Sequence, residues 1–297
     1  MSERAGTLPV NRIEGARTVA AYALAESLRR RVFVVVGALT AAFLALYALG
    51  AHFAFREIET SGFGGAVSLD DQALTGGTLL GLAMFAILFL GCVLAVFLTN
   101  GIVRGDAETG LLQPLVVRPL GRGTMLIGRY LGAIAATTGY VLAVYAAAVL
   151  ITWVAGEWRP GHLLLPGLAL AAAVAIVAAI SVLVSVFLAQ AAQGIAVFML
   201  FGGGLVAGLL GQIGDALGSR TLERIGEAVS LALPFEALYQ AGLHLITTDA
   251  AGLTRVVVEL GPFGGANAAG PGLVAFSLAY TGAVLALAVW AFDRRDL

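Results

Sequence analysis

The stretch PGHLLLPGLALAAAVAIVAAISVLVSVFLAQAAQGIAVFMLFGGGLVAGLLGQIG, Pro160–Gly214, runs for 55 residues without an Asp, Glu, Lys or Arg. About 20 apolar residues already cross a bilayer as a helix. Drawn out as a single helix the stretch would be about 80 Å long, far more than one bilayer holds. It must therefore fold back on itself. The small and polar cluster QAAQG, Gln190–Gly194, is the expected turn. Two spans result, 162–189 and 195–213.

Working outward, residues 32–55 form a first apolar run, broken only by His52 near its end. Residues 74–99 form a second, without charge, and 124–155 a third, whose part from Tyr130 onward is also charge-free. The last runs over 272–292. Of the 297 residues 60% are hydrophobic and 12% charged, about half the charge of a soluble domain. The expected fold is an all-α polytopic membrane protein, one transmembrane domain of six helices over 1–297. One segment is ambiguous: VSLALPFEALYQAGLHLI, Val229–Ile246, is apolar but contains Pro234 and Glu236. A charge at the bilayer centre costs at least about 2.5 kcal/mol. The segment is therefore read as a short interfacial or re-entrant piece within an external loop, 214–271. The glycine-rich Leu260–Gly272 closes that loop.

The leader, 1–31, ends in Arg29, Arg30 and Arg31. The apolar run after it is too long for a signal-peptide core, so no cleavage is expected. Within it Ile13, Ala16, Ala20, Leu24 and Leu28 recur at helical spacing, with Glu14, Thr18, Tyr22, Arg29 and Arg30 on the opposite arc. This predicts an amphipathic elbow helix in the membrane interface, its arginines among the headgroups. Six spans put both termini on one side. With that side cytoplasmic, only Arg56, Arg159, Arg220, Arg224 and Arg255 fall outside; the other 12 of the 17 arginines fall inside. Positive residues stay cytoplasmic, so both termini, including the tail 293–297, are placed there.

The chain contains no lysine. A phosphate-binding P-loop needs one to reach the β- and γ-phosphates, and lysine-based catalysis needs one too. Cys92 is the one cysteine, so no disulfide forms within the chain; His52, His162 and His244 lie far apart, and no metal site is expected. The spans carry no ionisable residue near their centres, only mild groups such as Thr75, Thr78, Thr99, Asn100, Thr137, Thr138, Ser181, Ser185 and Gln190. These are expected to bond to carbonyls of their own helices. Ion-coupled carriers and intramembrane enzymes need ionisable groups at depth. No enzyme is expected; energy for uphill movement must come through contact with another chain.

The candidate contact is the polar segment between the second and third spans, 100–123, with its core GDAETGLLQPLVVRPLGR, Gly105–Arg122. Gly105 and Gly110 bracket Asp106 and Glu108. A short helix can follow over Thr109–Val117, and Pro119 ends the segment's apolar part. Arg118 and Arg122 face water, an acidic partner surface or anionic lipid headgroups.

GDAETGLLQPLVVRPLGRGTMLIGRYLG, Gly105–Gly132, resembles the cytoplasmic segment of permease subunits of the type-2 ABC exporter family, near the copper-maturation permeases of nitrous oxide reductase. LRRRVF, Leu28–Phe33, resembles the end of that family's elbow helix; LPFEALYQ, Leu233–Gln240, its Pro-Phe-Glu segment; and FDRRDL, Phe292–Leu297, its tail. The family's usual glutamate is Asp106 here, a common threonine is Leu111, and a common lysine is Arg129. The resemblance implies a multi-pass permease of a prokaryotic plasma membrane. It would pair with a second permease chain, as a homodimer rather than a heterodimer, and rest on separate ABC ATPase subunits. ATP and Mg would be bound by those partners and no cofactor by this chain. It also implies that Gly105, Asp106, Glu108, Gly110, Arg118, Pro119 and Arg122, with the elbow bearing Arg29, Arg30 and Arg31, pass the ATPase movement to the spans. Membrane lipid is a further partner and nucleic acid is not. The alternative function is a membrane scaffold or assembly factor that binds an ATPase without moving cargo.

Overall fold

The computed structural model describes residues 31–61, 71–100, 122–247 and 270–294. Among them the regular structure is entirely helical: α1 (Arg31–Ser61), α2 (Asp71–Thr99), α3 (Arg122–Gly156), α4 (Leu165–Phe187), α5 (Gln190–Leu217), α6 (Arg220–Ala232), α7 (Phe235–Thr247) and α8 (Pro271–Asp293). Six of these, α1 to α5 and α8, are long and apolar enough to cross a membrane. Helices are the open-ended solution there, because lipid offers the backbone no hydrogen bonds. The elbow helix expected over Ile13–Leu28 lies outside the described residues, as do 101–121, 248–269 and 295–297.

Side-chain pairs fix the arrangement. Thr40 on α1 meets Tyr140 on α3 (2.5 Å), and Tyr47 meets Thr152 (2.6 Å), so α1 and α3 run parallel, as alternate spans must. A Cβ on Gly123 would lie 2.9 Å from Val289, which sets the start of α3 beside the end of α8. Gly76 is covered by Trp158, and Gly156 by Phe55, which gathers the end of α1, the start of α2 and the end of α3. The bundle thus has two ends. One, called here the amino end, carries Arg31, Asn100, Arg122, Leu188 and Asp293; the other, the far end, carries Ser61, Asp71, Gly156 and Leu165.

Helix α4 is the axis, packed by α2, α3, α5, α7 and α8. Of the residues in its most apolar stretch 72% are buried, against 17% in that of α8. A helix that is apolar all round belongs inside the protein. Peripheral helices instead expose Val34 and Leu46 (α1), Ile195 and Met199 (α5), and Leu278 and Leu287 (α8); hydrocarbon is the right solvent for them. At the amino end the Arg294 guanidinium sits 4.2 Å from the Trp290 ring, an aromatic–cation pair suited to a membrane interface.

The fold-back anticipated at Gln190–Gly194 occurs two residues earlier. Leu188 turns extended (φ −109°, ψ 152°) while its N–H still bonds to Val184, and QAAQG forms the first turn of α5. The reason is Gln193, whose side chain finds buried acceptors on α2 and α4, while Gln190, Ala191 and Ala192 stay exposed.

At its far end α5 stops at Gly218, which holds the left-handed φ of +62°, and the Ser219 N–H reaches back to the Gly214 carbonyl (2.8 Å). This glycine-capped ending satisfies a helix terminus that would otherwise leave carbonyls unpaired. Helix α6 then runs back down α5, so close that a Cβ on Gly226 would fall 2.6 Å from the Gly211 Cα. Pro234 breaks the helix, as its missing N–H and ring require, and α7 leaves α6 at 103°. With 13 residues each, α6 and α7 are about 20 Å long, each too short to span alone, though the bent pair together is long and apolar enough for a broken span or a re-entrant loop. Phe235 fills the hollow over Gly204, and α7 returns onto α4 and α2, where Gly242 touches Met84 and Ala169.

Candidate functional site

Helix α2 ends at Thr99 and the chain continues as the polar segment singled out in the sequence. A helix C-terminus leaves its last four carbonyls without intrahelical partners. Here the Thr99 carbonyl is taken by α5: the Gln193 side-chain nitrogen lies 3.2 Å from it, and 3.1 Å from both the carbonyl and the hydroxyl of Ser181 on α4. The Thr99 hydroxyl donates to the Ala95 carbonyl (2.7 Å) and lies 2.7 Å from Ser181 Oγ. All three side chains are buried. Three spans are therefore tied together at the residue where the segment 101–121 departs. An unmade hydrogen bond in such surroundings costs about 1–3 kcal/mol, which makes the tie hard to break piecemeal.

Beside the tie an open cavity of about 550 Å³ lies between α2 and α5, lined by Phe97, Asn100, Gln190, Gly194, Ile195 and Phe198 among others. It is mostly apolar, with amides at its rim. The Asn100 Oδ1 is buried and has no partner among the described residues. Phe89 of α2 leans on Phe198 and Phe201 of α5 (6.4 Å each), so aromatic rings carry the α2–α5 contact above the cavity.

Of the residues singled out in the sequence for coupling, Gly105, Asp106, Glu108, Gly110, Arg118, Pro119, Arg29 and Arg30 lie outside the described residues. Arg31 and Arg122 open α1 and α3. Both stand at the amino end with Thr99, Asn100 and Gln190, so the segment leaves and re-enters the bundle at the same end. Several hydroxyls behave as expected: Thr137 bonds to Ala133 (3.0 Å) and Ser185 to Val182 (2.7 Å), each within its helix. Thr99 and Ser181 do more, bonding across helices, and Gln193 was missed because it stood in an expected turn. The one available signal was an amide flanked on both sides by apolar runs.

A second polar feature sits higher on α5. Glu236, in the first turn of α7, is 6% exposed and accepts a hydrogen bond from the Gln240 side-chain amide one turn on. It lies against Gly208 of α5, where any Cβ would overlap the carboxyl. It is the one acid among the residues of described burial that is buried. Helix α7 is not one of the six spans, and burial pushes this carboxyl up to about 7, while the Gln240 hydrogen bond works the other way.

Among the described residues no three His, Cys, Asp or Glu side chains gather as metal ligands would. A family model described as ABC-2 family transporter protein matches residues 17–297 of the chain. No curated protein matches it.

Proposed function

Because this chain belongs to the ABC-2 family of transporters, and is thus an ABC transporter permease, we propose that it serves an ATP-driven exporter whose ATPase is a separate chain. The absence of lysine supports the division of labour: the γ-phosphate must be held elsewhere. ATP and Mg then belong to the partner, and this chain contributes the path and the response to movement. Its motifs resemble those of copper-maturation permeases, and the mostly apolar cavity between α2 and α5 suits a lipophilic or amphipathic cargo. The permease works as a homodimer in a prokaryotic plasma membrane, with the amino end of the bundle cytoplasmic.

The coupling route is the segment 100–123. An ATPase pair closing beneath it presses on Asp106 and Glu108; Arg118 and Arg122 hold the segment to the partner or to headgroups, and the elbow bearing Arg29, Arg30 and Arg31 slides with it. The observation that carries this route is the tie at its root. Displacement of Thr99 cannot stay on α2, because Gln193 and Ser181 link the same point to α5 and α4.

The test is a complex purified with its ATPase and reconstituted in liposomes. Asp106→Ala with Glu108→Ala is expected to leave the spans folded and ATP hydrolysis present while transport per ATP falls at least tenfold. Coupled transport at the original ratio would remove Asp106 and Glu108 from the route; an ATPase partner with no cargo movement in the unmutated complex would favour a scaffold.

A further inference from the structure

We propose that Glu236 is a proton-binding site, and that a proton held there latches the α6–α7 hairpin into its seat on α5. The geometry is that of a slot. Gly208 leaves room for the carboxyl and for nothing more, since a Cβ there would overlap it. One turn below, Phe235 stacks on Phe201 (5.3 Å) over Gly204. The Glu236 carboxyl thus lies where the hairpin meets the span, two residues from the Pro234 break.

The surroundings favour the neutral acid. Gln240 donates to one carboxyl oxygen, the one contact among the described residues that favours the charged form. From α5 the facing element is Gly208 and its backbone; the titratable residue of α5, Asp215, stands about two turns further along the helix. From α4, which has no titratable residue, and from α2, whose titratable groups are Asp71 at its start and Cys92, the packing is apolar. Helix α6 carries Arg220, Glu223, Arg224 and Glu227, of which Arg220, Arg224 and Glu227 are exposed. Tyr280 of α8 donates to the Ala232 carbonyl. On α7 itself stand Tyr239, close enough to feel the carboxylate charge, and His244, two turns on. No ion pair to Glu236 forms among the described residues. A carboxylate in this slot would be a buried charge with one amide for company, and such a charge is costly. Loss of the proton therefore drives the carboxyl toward water. The Pro234 break, where α6 and α7 are already uncoupled as helices, lets the hairpin follow.

The experiment uses the full chain alone in lipid nanodiscs, so its outcome is independent of any ATPase. In a Cys92→Ala background, spin labels at Ile225→Cys on α6 and at Leu163→Cys ahead of α4, both exposed positions, report the hairpin-to-bundle distance. Infrared difference spectra on the same samples report the protonated carboxyl. Raising the pH from mildly acidic to mildly alkaline should shift or broaden the distance with the same midpoint at which the carboxyl band disappears. Glu236→Gln should abolish both responses and hold the distance of the acidic state. Gly208→Ala, which crowds the carboxyl out of its slot, should move the midpoint toward the ordinary carboxylate range. A distance that ignores pH in the unmutated chain, or a response that survives Glu236→Gln, overturns the proposal.

Discussion

The Gln193 side chain of α5 caps the carbonyl of Thr99, the last residue of α2, from 3.2 Å, and the same nitrogen reaches Ser181 of α4. Replacing Gln193 with Leu keeps the volume roughly and strands the terminal Thr99 carbonyl, while the Ser181 carbonyl, inside α4, keeps its helix partner. Interhelical hydrogen bonds in membranes average about 0.6 kcal/mol by double-mutant cycle and reach about 1.7. Gln193→Leu is expected to destabilise by about 1–2 kcal/mol in a reversible denaturation in micelles. A cycle with Ser181→Ala should recover a coupling of about 1 kcal/mol. Purely additive effects would mean the amide is not bonded to the Ser181 hydroxyl.

Two further bonds hold α1 to the bundle. Tyr140 joins Thr40, and Tyr47 joins Thr152. Helix α1 packs chiefly on α2 and α3 and is little buried, so these pairs matter more to it than they would to α4. Thr40 and Tyr47 stand two turns apart, roughly 10 Å. Tyr140→Phe and Tyr47→Phe should each lower the unfolding free energy by about 0.6 kcal/mol and combine additively. The same melts check both points, and strong coupling between the two changes would contradict separate contacts.

The six spans were legible because each is an apolar run of bilayer length, and hydropathy alone specifies a helix there. The break within Val229–Ile246 was legible, since Pro234 cannot continue a helix. Its angle was not, because 103° depends on where Phe235 and Gly242 find partners on α5, α4 and α2. Glycines four residues apart, such as Gly204 and Gly208, recur too often in a chain of 39 glycines for the sequence to rank them. Gly204 and Gly208 prove to seat Phe235 and Glu236, while Gly77 faces open space. Gln193 was hidden for a related reason: a polar residue near a fold-back looks the same whether it meets water or a buried carbonyl.

Glycines that sequence cannot rank are ranked by their neighbours. A Cβ on Gly91 would lie 2.8 Å from Val141 and 2.9 Å from Val174, inside the α2–α3–α4 core. A Cβ on Gly139, on exposed α3 surface, meets nothing within 4 Å. Gly91→Val should cost about 1–3 kcal/mol through overpacking and lower the yield of monodisperse protein. Gly139→Ala should be neutral or slightly stabilising, alanine being the better helix former. Equal thermal midpoints for the two variants would contradict this placement of α2 against α3 and α4.

The Glu236 carboxyl predicts a pH dependence whose sign is unusual for an acid. Its value is raised from 4.5 to about 7, so the folded state binds the proton more tightly than the unfolded one. Stability from this group is therefore full below the unfolded value. It declines as pH rises between the two and is lost above about 7. The steepest decline from one such group is about 1.4 kcal/mol per pH unit. Thermal midpoints of the isolated chain should fall across that window, and those of Glu236→Gln should fall less. A midpoint that rises with pH in the unmutated chain and is flat in the variant would reverse the assignment.

Sidedness is the last expectation, and it follows from charge. Arg31, Arg122 and Arg294 share the amino end, where Arg294 also meets Trp290, and the sequence assigns twelve of seventeen arginines to that side. Cys92 is free and buried in α2, so Cys92→Ala gives a background without thiols. In that background Leu164→Cys, highly exposed at the far end, should react with a membrane-impermeant maleimide on intact cells. Thr109→Cys, in the segment between α2 and α3, should react only after the membrane is opened, with a contrast of at least tenfold. The opposite pattern would put the segment outside the cell, where no ATPase could reach it, and the coupling route would fall with it.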